Sequence, residues 1–179
     1  MGTIPLSQSQ FAIVDDEWHE KISRFKWSLT SAGYAMRIKQ MNGRRINVLM
    51  HREILGTPAG MVTDHINGDK LDNRRSNLRF STKSQNAMNR KINANNKTGY
   101  RGVFWVTRLN CYIAKLQVER RDVFSRCFHS QHEAAIIWNY YATKHYGDFA
   151  VLNDVSHAIP VEEQPEILAS FLKRTGQTI

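Results

Sequence analysis

Residues 63–86 read TDHINGDKLDNRRSNLRFSTKSQN, and the organisation of the first half of the chain turns on this stretch. It is polar and rich in asparagine, with Asp64 and His65 adjacent near its start. Residue types alone leave two readings open: a solvated surface loop, or a site where a metal, a base and a phosphate meet. Hydrolysing a phosphodiester requires an activated water and positive charge to balance what grows on the phosphorus and leaving oxygens. A histidine beside a divalent metal can provide both. On an extended strand Asp64 and His65 would project to opposite faces. The pair then serves only if one side chain faces a metal and the other the water, or if the backbone bends between them. The turn at Ile66–Lys70 would permit such a bend. Asn86 could offer a neutral amide oxygen to a hard metal. Asn77, just before Leu78, suits a role tying the loop by backbone hydrogen bonds. Asn67, Asp69 and Asn73 read as turn formers.

Working upstream, residues 15–27 place Trp18, Ile22 and Phe25 at helical spacing behind an acidic first turn. The segments YAMRIKQ and RINVLMHREIL flank Asn42-Gly43, a hairpin signal because both residues tolerate positive φ. Downstream, RSNLRFSTKSQNAMNRK leads into a helix that Ser81 or Thr82 could cap. Residues 91–98, KINANNKT, have no periodicity and are expected to be a linker and domain boundary. Three short strands are expected over 99–130, followed by an amphipathic helix with Ala134, Ile137, Trp138, Tyr141, Ala142 and His145 on one face. Gly147 would stop that helix. Phe128, Trp138 and Tyr141 read as core. The segment PEILASFLKR suggests a short helix in an acidic tail, 154–179.

Charge narrows the partner class. The formal net charge is +9, and it divides as +3 over 1–50, +5 over 51–97, +3 over 98–153 and −2 over 154–179. A basic body with an acidic tail suggests a polyanion bound by the body. Cys111 and Cys127 form no CxxC pair and no disulfide framework, so a reducing compartment is expected. No apolar run approaches bilayer length, and MGTIPLSQSQ lacks the marks of a signal peptide. A soluble intracellular protein is expected, and the Asn96-Lys97-Thr98 glycosylation pattern is a chance match.

Residues 48–90, carrying LMHREIL and DHINGDKLDNRRSNLRFSTKSQNAMNR, resemble the HNH nuclease motif in its phage and mobile-intron homing endonuclease form. The resemblance implies two strands and a helix around one metal ion. By position His65 would be the general base, Asp64 and Asn86 would hold a magnesium or manganese ion, and Asn77 would anchor the loop bearing His65. Asn86 stands where many HNH enzymes have a histidine, which favours an oxygen-ligated metal over zinc. His51 also matches, either packed on or beside the strand, or supporting a metal-bound residue from behind, or contacting a phosphate.

Residues 98–153 resemble the APETALA-type, ethylene-response-factor DNA-binding domain, on YRGV at Tyr100–Val103, EAA at Glu133–Ala135 and the closing YGDFAVLN. Domains of that family lay a three-stranded sheet into the major groove. The resemblance makes Arg101, Trp105, Arg108, Lys115 and Gln117 candidates for base or phosphate contact, with Arg120, Arg121 and Arg126 at phosphates. Tyr112, Glu119-Arg120 and Arg126 depart from the usual pattern.

The chain is therefore expected to be α+β. An HNH nuclease module of the ββα-metal type (1–90) precedes a linker (91–98), a three-stranded antiparallel sheet packed on one helix (99–153) and the tail. The expected activity is metal-dependent hydrolysis of double-stranded DNA by a homing-type enzyme, as a monomer, in the cytoplasm of a bacterial host. A non-catalytic DNA-binding regulator is the main alternative, and an RNA-binding structural protein rests on charge alone.

Overall fold

The computed structural model describes residues 1–89 and 92–177 and divides into two compact units, Met1–Asn89 and Arg90–Ile179. Arg90 and Lys91, where the expected module and linker meet, lie outside the described residues.

The first unit opens with an antiparallel pair, β1 (Gly2–Pro5) and β2 (Phe11–Val14). Sequence reading missed this pair because its turn uses Gln8 and Ser9 at positive φ rather than the glycine or asparagine that usually marks one. Helix α1 (Asp16–Ser23) carries Asp16 and Glu17 in its first turn, where the helix dipole favours negative charge. Ile22 is buried and Trp18 packs on the core. Phe25, expected on the same face, lies beyond the helix end and is exposed, with the Arg37 guanidinium 4.0 Å from its ring centre.

A second sheet has the order β3 (Ser28–Leu29), β4 (Ala35–Met41), β5 (Arg44–Leu49). Asn42 and Gly43 turn β4 into β5 with φ of 49° and 72°. RINVLMHREIL is strand only as far as Leu49; Met50–Leu55 form helix α2. Met50, His51, Ile54 and Leu55 are all buried, and their four-residue repeat is the spacing of a helix face. Strands β6 (Val62–His65) and β7 (Leu78–Ser81) pair antiparallel, with Asp64 opposite Arg79 and His65 opposite Leu78. Helix α3 (Lys83–Met88) is capped by Thr82 in a reciprocal box with Gln85. Ile4, Val14, Ile22, Trp27, Met50, Ile54 and Leu78 form the core beneath these elements.

In the second unit, strands β8 (Val103–Val106), β9 (Cys111–Val118) and β10 (Arg121–Phe128) form one antiparallel sheet in the order β10-β9-β8. Helix α4 (Gln131–Tyr146) buries Ala134, Ile137, Trp138, Tyr141 and Ala142. His145, expected on that face, is exposed, and Tyr146 is buried instead, donating its hydroxyl to the Gln117 carbonyl at 2.8 Å. Gly102 sits at φ +70° with no room for a side chain, since a Cβ there would stand 2.0 Å from Trp138 Nε1.

Two expectations change here, those for the linker and the cysteines, while the tail carries the helix expected of it. The second half of the supposed linker is tied down: Asn96 Oδ1 accepts from Thr98 N and Gly99 N, and Thr98 Oγ1 lies 2.8 Å from both Asn96 Oδ1 and the Val103 carbonyl oxygen, either of which can take its proton. The acidic tail contains α5 (Gln164–Thr175), whose buried Phe171 meets the rings of Phe124 and Phe128 at 6.3 and 5.7 Å. Cys111 and Cys127 are joined in a disulfide across β9 and β10, with Cα atoms 5.9 Å apart. Antiparallel pairing, which sequence separation does not reveal, brings the two together. No described helix is long and apolar enough to cross a membrane.

Candidate active site

Asp64 and His65 lie at the end of β6, and alternation sends their side chains apart. Asp64 meets Arg79 Nε at 2.8 Å through Oδ2 and Asn89 Nδ2 at 2.9 Å through Oδ1. It is 3 % exposed, so its charge needs these partners. The Asn89 amide also donates to the His65 carbonyl at 2.5 Å, which fixes the strand end between the two residues.

His65 turns instead toward His51 and Tyr34, with ring centres 5.0 and 6.0 Å away. Tyr34 and His51 are themselves 5.0 Å apart, so three aromatic rings form one cluster. Nε2 of His65, Nδ1 of His51 and Oδ1 of Asn73 are buried and have no hydrogen-bond partner among the described residues. Burial lowers the pKa of His65; the Asn73 side chain and the Asp64 charge oppose the shift. Burial also pushes His51 down to about 3, reinforced by repulsion from Arg52 and, when it is protonated, from His65. Both rings are therefore neutral near pH 7, the state in which an imidazole can accept a proton.

The loop after His65 is held by its own polar side chains. Asn77 accepts from Asn67 N at 3.0 Å and donates to Asn67 Oδ1 at 2.9 Å and to the Asp72 carbonyl at 2.8 Å. Asn67 and Asp69 close turns on the backbone N–H of Asp69 and Leu71. Arg74 grips Asp72 with both Nε and Nη2, and holds that carboxyl below the usual range. From the first unit's other end, Ile13 accepts from Asn73 N and donates to the Leu71 carbonyl, each at 2.8 Å.

Asn86 lies in α3 and its side chain makes no hydrogen bond among the described residues, so it is not brought to Asp64 by any direct contact. The asparagine at that carboxylate is Asn89, one turn later at the helix end. Sequence reading missed Asn89 and Tyr34. The only available signal for Asn89 was its place three residues beyond Asn86 on the same helical side. Among the described residues no three His, Cys, Asp or Glu side chains converge as a metal cluster. A hard cation held here would draw on one carboxylate and amide, water or phosphate oxygens, a donor set that suits magnesium-like ions.

In the second unit the eight expected DNA contacts do not form one patch. Lys115 and Gln117 share a face, where both engage Asp122, at 2.9 and 2.7 Å. Trp105 pairs with Tyr112 across the strands and Arg126 with Ala114, which puts both on the face of Val103 and Ala114. Arg101 is partly buried, which lowers its pKa, and its N–H donates to Asn153 Oδ1 at 2.6 Å. Glu119 and Arg120 make the β9–β10 turn at positive φ, and Arg108, Arg120 and Arg121 are exposed.

Residues 48–88 match the HNH endonuclease family, which supports a nuclease. The chain is also similar to an uncharacterized HNH endonuclease of Acanthamoeba polyphaga mimivirus, 29 % identical over 148 residues, covering 81 % of this chain and 75 % of the relative. That similarity is longer than either unit, so it crosses from the first into the second. No solved structure matches the chain.

Proposed function

We propose that this protein is a divalent-metal-dependent endonuclease of duplex DNA in which His65 is the general base. The observation that carries the reading is a buried, neutral His65 whose Nε2 has no partner among the described residues, next to a buried carboxylate, inside the segment matching a nuclease family. His65 would take the proton of the attacking water at a ring nitrogen. The rings of His51 and Tyr34 hold its imidazole in place and keep bulk water away. Asn77 keeps the following loop closed, so that the base is delivered at a fixed position. Asp64 with Asn86 would hold one magnesium or manganese ion, which when bound supplies charge to the scissile phosphate and its leaving oxygen. Asn89 and Arg79 orient the Asp64 carboxylate.

The second unit, with its APETALA-like sheet and helix, would bind the duplex and bring the nuclease module to its target. Its exposed Arg108, Arg120 and Arg121 support a phosphate-contacting role. The homing type, a phage source and action as a monomer in a bacterial cytoplasm belong to the same proposal.

Supercoiled plasmid incubated with the protein and magnesium or manganese should be nicked or linearised, and chelation should stop the reaction. His65→Ala should abolish cleavage while the circular dichroism spectrum stays that of the parent. Undiminished cleavage by His65→Ala would remove the base assignment. A metal-dependent reading with no cleavage of any duplex would favour the DNA-binding regulator instead.

A further inference from the structure

The second unit holds a cluster of titratable rings that the catalytic proposal leaves unused. The Tyr100 hydroxyl lies 2.6 Å from His132 Nδ1 and 3.2 Å from His157 Nε2. The two imidazoles are 6.0 Å apart between ring centres, with their planes at 84°. Tyr100 is 5 % exposed, His132 is half-buried and His157 is exposed, so one side of the cluster faces solvent.

Each ring comes from a different segment, and each segment is fixed by its own backbone. The Tyr100 carbonyl accepts from Asn96 Nδ2 at 2.7 Å, and its N–H donates to Thr98 Oγ1 at 3.2 Å. His132 stands in the first turn of α4, where its N–H donates to the cap residue Ser130 at 3.2 Å. His157 lies two residues beyond the buried Val155, whose carbonyl accepts from Ala158 N and Ile159 N.

The spacing of the three donor atoms is that of a metal's ligands. Bonds of about 2.0 Å in a tetrahedral site put ligand atoms about 3.3 Å apart. The phenol oxygen is 2.6 and 3.2 Å from the two ring nitrogens, close to that edge. With no ion bound, the phenol donates its one proton to one imidazole and accepts from the other. A single such bond would satisfy it, and a second imidazole nonetheless turns a ring nitrogen to the same oxygen.

The surrounding charge suits a cation. Hydrogen bonds from Ser156 hold the Asp154 carboxyl below the usual range, and its charge acts on both His157 and Tyr100. That charge offsets the positive end of the α4 dipole beside His132. Burial, with Asp154, keeps the Tyr100 phenol above its ordinary pKa, so the hydroxyl stays protonated until a bound dication reverses the balance. Among the described residues no third His, Cys, Asp or Glu joins the pair, which leaves the phenol as third ligand and the solvent side for water. Two imidazoles suit zinc, copper or nickel, whereas magnesium and manganese take carboxylate, carbonyl and water.

We propose that Tyr100, His132 and His157 form a site for a zinc-like divalent transition metal, with the phenol oxygen, His132 Nδ1 and His157 Nε2 as its ligands. Binding forms three bonds to the ion and releases the phenol proton to buffer. Because His157 belongs to the tail that ends in α5, the ion staples that tail to α4 and to the turn before β8. Nothing in the site depends on the first unit being a nuclease.

The test uses the full chain with its disulfide intact, without reductant, and with magnesium in excess to fill any hard-ion site. Zinc titrated calorimetrically should bind, and His132→Ala and His157→Ala should each weaken it about tenfold or more. His145→Ala, at an exposed histidine of α4, should change nothing. Titrations in buffers of different ionisation enthalpy should count one proton fewer released by Tyr100→Phe than by the parent. Cobalt in place of zinc should give visible ligand-field bands that shift in Tyr100→Phe. With free zinc at about ten times its Kd, trypsin cleavage after Lys173 and Arg174 in α5 should slow about tenfold in the parent and not in His157→Ala. Circular dichroism identifies folded variants, and the exposed His157 supplies a test even where Tyr100→Phe does not fold. Absent zinc binding, or binding that both histidine variants keep at parental strength, would overturn the site and leave a hydrogen-bonded hub only. Zinc binding lost in Asp64→Ala and kept in His157→Ala would place the ion in the first unit and overturn it equally. Parental proton release and an unshifted cobalt spectrum in Tyr100→Phe would remove the phenol, and with it the three-ligand site. Unslowed tryptic cleavage would remove the staple.

Discussion

Arg79 Nε lies 2.8 Å from Oδ2 of Asp64, so an arginine is the resident counter-charge of the carboxylate to which a metal is assigned. Arg79→Met should leave Asp64 buried with its charge uncompensated and cost about 3 kcal/mol in urea unfolding with chelator present. Millimolar magnesium should then restore more stability in the variant than in the parent. A variant that magnesium does not stabilise would take Asp64 out of the metal site.

Asn86 and Asn89 can be separated by what each substitution disturbs. Asn89→Ala removes the donor to Asp64 Oδ1 and to the His65 carbonyl, and should lower stability by about 1 to 2 kcal/mol. Asn86→Ala breaks no hydrogen bond of the described residues and should change stability by less than about 0.5 kcal/mol. If Asn86 is a ligand, its loss should instead weaken manganese binding measured calorimetrically. Unaltered manganese affinity in Asn86→Ala, with weakened affinity in Asn89→Ala, would move the ligand assignment to Asn89.

His51 should make the first unit labile to acid. Its folded pKa, about 3, lies below the ordinary 6.5, so the folded state resists protonation that the unfolded chain accepts. Its contribution is complete above pH 6.5 and declines as pH falls toward 3, by about 1.4 kcal/mol per unit at most. His51→Gln, which cannot titrate, should flatten the stability–pH curve over that window. An identical slope in the variant would mean that the ring gains access to water.

Gly102→Ala tests the close approach of β8 and α4. The added methyl would strike the Trp138 indole, whose Nε1 donates to the Lys115 carbonyl at 3.0 Å, on a backbone already at φ +70°. A loss of about 2 to 4 kcal/mol is expected for the second unit, read by tryptophan fluorescence during denaturant unfolding.

The polar loop was legible because its contacts are local: Asp64 and His65 are adjacent, and Asn77 answers Asn67 across ten residues of one loop. The Asn42-Gly43 turn was legible for the same reason. Tyr34 was not, because its meeting with His65 depends on two sheets and α2 being assembled. Asn89 was hidden by an equally plausible asparagine one turn earlier. The disulfide and the packing of Phe171 on Phe124 and Phe128 arise from pairings between elements that no single-segment pattern encodes. Asp122, which compensates Lys115, sits just past a turn made by residues with side chains where glycine is usual, and its reach back to β9 follows only from register.

The two backbone bonds between Ile13 and the loop at Leu71 and Asn73 join points about sixty positions apart in the chain. The family match begins only at residue 48, so one wall of the loop comes from outside the recognisable motif. Residues 48–88 therefore do not amount to a transplantable cassette. Grafted onto another scaffold without a strand equivalent to β2, they would leave Asn73 N and the Leu71 carbonyl open to water and the loop free to unwind. A graft of the motif that is to keep its loop would have to bring β2 with it.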